Sequence, residues 1–65
     1  MDDRRWHVEI EYATQEGGGG VRMFSGLRAP SAGKAIDKAI DRMEEDGFDV
    51  QLISSADAEE LPNIN

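Results

Sequence analysis

Between Pro30 and Gly47 the apolar residues Ala32, Ala35, Ile36, Ala39, Ile40 and Met43 stand at i, i+3, i+4, i+7, i+8 and i+11. That spacing puts them on one stripe of an α-helix about four turns long. Ser31 occupies the N-cap position behind Pro30, and Gly47 follows the last turn as the C′ residue. Before the helix the period changes to two. Trp6, Val8, Ile10 and Tyr12 alternate with His7, Glu9 and Glu11, which predicts a half-buried strand. A connection from Thr14 to Gly20 follows, and its Gly17–Gly20 run, with no side chain to hold it, reads as a mobile tip.

Val21 to Arg28 predicts a second strand, with Val21, Met23, Ser25 and Leu27 on one face and Arg22, Phe24, Gly26 and Arg28 on the other. A bulge at Ser25–Gly26 would change that parity. After the helix, Phe48, Val50 and Leu52 alternate with Asp49, Gln51 and Ile53, a third strand ending near Ser54. The tail from Ser55 then reads as a turn of helix over Ala56–Leu61 stopped by Pro62. Met1–Arg5 is charged and expected to fray at its start, and Asn63–Asn65 is expected to be loose.

The order ββαβ predicts an α+β domain with one helix on one face of a three-stranded sheet. Placing the third strand beside the first makes the sheet all antiparallel, in the order 2-1-3; placing it beside the second would need a parallel pair at the edge of a small sheet. The expected core face carries Trp6, Val8, Ile10, Tyr12, Val21, Met23, Leu27, Phe48, Val50 and Leu52, with Ile36 and Ile40 seated on Val8 or Ile10.

Sixty-five residues suffice for one small domain, residues 1–65, with an ordered core over about 5–54 and an acidic tail over 55–65. At this size net stability is about 3–5 kcal/mol without staples. The chain has no cysteine, in keeping with a reducing compartment, and the Met-Asp-Asp-Arg-Arg-Trp start has no apolar signal region, so the expectation is a cytoplasmic protein away from membranes. Fourteen acidic against seven basic residues give a net charge of −7. That argues against direct nucleic-acid binding through phosphates and permits docking on a basic protein partner. Acidity that merely keeps a small protein soluble carries equal weight.

Candidate chemistry is sparse. Ser31-Ala32-Gly33-Lys34 and Gly17–Gly20 lack the spacing and hydroxyl of a phosphate-binding loop, leaving only free N–H groups and Lys34 for a stray anion. His7, Glu9 and Glu11 point the same way but stand about 7 Å apart, too far for tight metal chelation from one strand. The lone histidine and absent cysteine permit no nucleophilic triad, so no enzyme, metal or cofactor is expected.

Two surfaces stand out instead. Phe24 with Arg22, Arg28 and Ile53, on the face away from the helix, has the composition of an interface centre, provided no bulge turns Phe24 inward. The other surface is electrostatic. Lys34 lies near the helix N-terminus and Glu44, Glu45 and Asp46 near its C-terminus, against the helix dipole, at about 0.3–1 kcal/mol for each exposed charge. The predicted topology gathers Glu11, Glu16, Asp41, Glu44, Glu45, Asp46 and Asp49 at one end, opposite Arg4, Arg5, Arg28 and Lys34.

A hairpin followed by an Ala/Ile-rich helix is similar to the small-sheet antitoxins of the HicB type. That family's further strand and Leu-Pro-Gly-Cys-like turn are absent here, so none of its properties is carried over. Size and acidity are those of short orphan proteins of phages and mobile elements. The expected function is a small acidic regulator or inhibitor that docks on a basic surface of another protein. The alternative is a structural homo-oligomer or homodimer joined by sheet edges or by the Phe24 face. A third reading is a small-ligand binder using the Gly17–Gly20 loop.

Overall fold

A computed structural model of the chain describes residues 3–62. It contains β1 (Arg4–Ala13), β2 (Gly19–Ala29), α1 (Ala32–Glu45), a 3-10 turn at Val50–Leu52 and β3 (Ile53–Glu60). β1 lies between the other two strands and pairs antiparallel with both, so the sheet order is 2-1-3, with α1 packed on one face. The predicted class, strand order and helix are those observed. Met1 and Asp2, expected to fray, and Asn63–Asn65, expected to be loose, lie outside the described residues.

The helix begins and ends where its capping residues stand. The Ser31 hydroxyl accepts from the Lys34 N–H at 3.4 Å, and the Ser31 carbonyl accepts from Ala35 at 3.0 Å. At the other end Gly47 takes a φ of 87°, its N–H donating to Glu44 O and that of Phe48 to Met43 O, each at 2.9 Å. These two bonds are the Schellman arrangement, which requires a left-handed residue at C′.

The stripe that α1 buries is rotated from the expected one. Ala35, Ala39 and Met43 are fully buried along its centre, while Ile36 and Ile40 are half-buried on a flank. Beneath them lie Trp6, Val8 and Ile10 of β1 and Leu27 and Ala29 of β2. Two small alanines and the larger Met43 make up the buried centre of the helix face. The indole of Trp6 donates to the Ala29 carbonyl at 2.9 Å, so the one polar atom of this large core side chain is satisfied across the hairpin.

β2 departs from simple alternation. Trp6 pairs with Leu27 and His7 with Ser25, so Gly26 is an extra residue on β2, with a φ of 80°. This bulge reverses the parity expected for the first half of the strand. Val21 and Met23 are exposed, while Phe24 is half-buried against the core. The bulge foreseen at Ser25–Gly26 is present, and it turns Phe24 towards the helix side.

The third strand lies later than its apolar alternation suggested. Asp49 accepts from the Gln51 N–H at 3.0 Å and Leu52 donates to Asp49 O at 3.0 Å, coiling Val50–Leu52 into one turn of 3-10 helix. Phe48, Val50 and Leu52, read as strand, therefore form the approach to β3. Ala56–Leu61, read as a helical turn in a loose tail, is instead strand through Glu60, with Ala56 and Ala58 half-buried under the helix.

Two substitutions test this packing. Met43→Ala should cost about 2–5 kcal/mol, a large part of the stability of so small a domain, whereas Ile40→Ala should cost less because its side chain is only half-buried. Urea melts of the two variants compare them directly, and an equal loss would contradict the rotated stripe. Gly26→Val should cost about 1–2 kcal/mol because a branched side chain resists a positive φ, with Gly26→Asn costing less. Equal stability of the two Gly26 variants would contradict the bulge.

Candidate functional site

The helix brings most of the expected acidic end together. Glu44, Glu45 and Asp46 occupy its last turn and cap, Asp41 sits one turn earlier, and Asp49 opens the 3-10 turn. Glu16 lies in the hairpin loop at the same end of the sheet, and all six residues are exposed. Asp46 is not simply surplus charge, because its carboxylate accepts from Arg22 at 2.7 Å. Glu11 is directed to the other face of the sheet, where it accepts from the Ser55 hydroxyl at 3.1 Å.

The predicted Arg22–Phe24–Arg28–Ile53 interface does not form as one patch. Arg22 and Phe24 stand on the helix side, the guanidinium 5.8 Å above the Phe24 ring, and Ile53 packs against the core from β3. Arg28, between buried Leu27 and Ala29, alone remains on the outer face. The physical cause is the Gly26 bulge. It moves Arg22 from the open face into the acidic end and replaces Phe24 on the open face by Met23.

The surface left open by the fold is the sheet face opposite α1. Three rows cross it: Met23, Glu9 and Asp57; Ser25, His7 and Glu59; and Val21, Glu11 and Ser55. Glu9 and Asp57 are direct cross-strand partners, an arrangement of like charges that costs about 0.2–1 kcal/mol relative to a neutral pair. His7 Nε2 stands 3.8 Å from Glu9 Oε1. At the far end of the face Arg5 and Arg28 pair across β1 and β2. Exposed Val21 and Met23 give this face its apolar margin.

The sequence pattern does not single out Asp57 and Glu59, because Ala56–Leu61 reads as a turn of helix. The period-two alternation of Ala56 and Ala58 with Asp57 and Glu59 is the signal that identifies them. It is a faint one, since alanine and carboxylates are all poor strand formers.

The four-glycine run is a structural device. The Thr14 N–H donates to Gly18 O at 2.9 Å, Gly17 donates to Thr14 O at 3.1 Å and Gly18 donates to the Thr14 hydroxyl at 3.0 Å. Gly19 and Gly20 already belong to β2 rather than to an open tip. A Cβ on Gly20 would lie 2.6 Å from the Tyr12 hydroxyl, and the Tyr12 ring is itself set edge-on to Phe48 at 4.9 Å. Glycine here makes room for Tyr12.

Among the described residues no group of three or more His, Cys, Asp and Glu is placed to hold a metal, and no helix is long and apolar enough to cross a membrane. A groove between β2 and α1, lined by Arg28, Lys38, Asp41, Arg42 and Glu45, is open and of mixed charge. No family model matches the chain, and neither a curated protein nor a solved structure shows significant similarity to it.

Proposed function

We propose that the chain is a small acidic protein-binding module, a regulator or inhibitor that docks on the basic surface of another protein. The observation that supports this reading is the direct cross-strand pairing of Glu9 with Asp57 on an open sheet face. Glu11 and Glu59 extend the acidic lattice, and exposed Val21 and Met23 border it. Lysine or arginine side chains from a partner would relieve the carboxylate repulsion, while the apolar margin would supply buried area beside them. The acidic helix end, with Glu16, Asp41, Glu44, Glu45 and Asp49, extends the same field and would steer encounter more than hold the complex.

Neutralising the two groups tests the assignment. Glu9→Gln with Asp57→Asn should leave stability unchanged or raised, because it removes a repulsive pair. The same variant should release a basic partner captured at low salt. Glu44→Gln with Glu45→Gln should mainly slow association. That on-rate should also fall with added salt as screening shortens from about 10 Å at 0.1 M to about 3 Å at 1 M. Surface plasmon resonance on the captured partner reads both variants. Unchanged binding by Glu9→Gln/Asp57→Asn, or capture that persists at 1 M salt, would overturn the reading.

A further inference from the structure

The 2-1-3 order leaves β2 and β3 with one strand neighbour each, so both present an unpaired backbone edge. The two edges carry opposite charge. β2 holds Arg22 and Arg28 and no carboxylate; indeed no Asp or Glu occurs anywhere from Gly17 to Ile36. On the adjoining flank of α1, Lys38 and Arg42 line the groove against β2 together with Asp41 and Glu45, and the Lys38 ammonium donates to the Arg28 carbonyl. β3 holds Asp57, Glu59 and Glu60 and no cation, although Arg4 of β1 reaches the Glu60 carboxylate at 3.4 Å. Helical spacing places Asp37 and Glu44 on the flank of α1 away from Lys38 and Arg42. A chain of net charge −7 has thus kept one edge strand whose own charged residues are all positive.

We propose that a second copy of this chain is the occupant of that edge: β3 of one protomer adds to β2 of the next, head to tail, and extends the sheet. β2 and β3 run in the same direction, because each is antiparallel to β1, so copies related by lateral displacement meet in a parallel pair. The sheet rows then continue from one copy to the next. That sets Asp57 and Glu59 of β3 level with Met23 and Ser25 of its neighbour, and Glu60 level with Leu27, next to Arg28. The two-fold alternatives are electrostatically worse. A β3–β3 contact opposes Asp57, Glu59 and Glu60 to themselves, and a β2–β2 contact brings two arginine-bearing edges together. Arg22 would ordinarily guard an edge by pointing inward, but Asp46 already neutralises it at 2.7 Å. Lys38 covers the strand backbone at Arg28, leaving Gly19–Ser25 as the open stretch for pairing, with Arg28 and Lys38 at its end to meet Glu59 and Glu60. A heterologous contact of this kind grows beyond a dimer unless its rotation closes a ring. It leaves the sheet face free, so it stands or falls independently of docking there.

Sedimentation equilibrium of the intact chain over a concentration series at low salt is the test, with circular dichroism melts confirming that each variant folds. The expected result is a mass rising past that of a dimer, with association lost at 1 M salt. Arg28→Glu alone and Asp57→Lys/Glu59→Lys alone should each abolish association. An equimolar mixture of the two variants should restore it, because each retains the edge that the other has lost. A wild-type chain that stays monomeric into the millimolar range would overturn the proposal. So would a plateau at the dimer, or self-association by the Asp57→Lys/Glu59→Lys variant alone.

Discussion

The packing of α1 on the face of the sheet is the contact on which the rest of this small fold depends. Val8, Ile10, Ala35, Ala39 and Met43 have no exposed surface, and they form one continuous line from strand to helix. Three of the eight buried core residues are alanine, so the core side chains are small and tolerate little change in volume. A bulky residue at Ala35 or Ala39 would lift the helix and open Val8 and Ile10 to water together. Trp6 closes the line at the end where the chain enters the helix. Its indole bond to Ala29 ties that end of the hairpin together beneath the N-cap.

Given that seating, the chain must decide which residues of each outer strand join the line, and β2 does so with one extra residue. Gly26 lets Leu27 and Ala29 face the helix while Phe24 and Arg22, on the other side of the bulge, face it as well. The consequence is chemical as much as geometric. Arg22 reaches Asp46 at the helix cap, and Val21 and Met23 move to the open face beside Glu9 and Glu11. Gly20 performs a comparable service at the opposite end of the strand, where a side chain would collide with Tyr12.

Charge is distributed on this frame in two directions. Across the thickness, the open face is acidic along its middle rows and the helix cap is acidic at one end. Across the width, the charged residues of the β2 strand are basic and those of β3 acidic. An acidic face favours basic macromolecules, whereas complementary edges favour further copies of the same chain. The two modes use perpendicular surfaces, so edge-joined copies would present their acidic faces side by side and bind a basic partner multivalently.

Local pattern alone determined the helix with both caps, the central strand, the hairpin and the α+β class with its 2-1-3 order. Each rests on a periodicity or a capping residue that acts within a few positions, and the antiparallel order follows from avoiding a lone parallel edge pair. The position of β3, the inward turn of Phe24 and the membership of the acidic face were decided by tertiary structure. Phe48, Val50 and Leu52 alternate as a strand would, yet Asp49 can cap a 3-10 turn there. The weak strand formers from Ala56 to Glu60 extend because β1 offers them a full row of backbone partners and α1 covers Ala56 and Ala58. Parity after a bulge is likewise a property of the pair. Gly26 marks where an extra residue can be accommodated, but only its register against Trp6 and His7 sets which side chains face the helix.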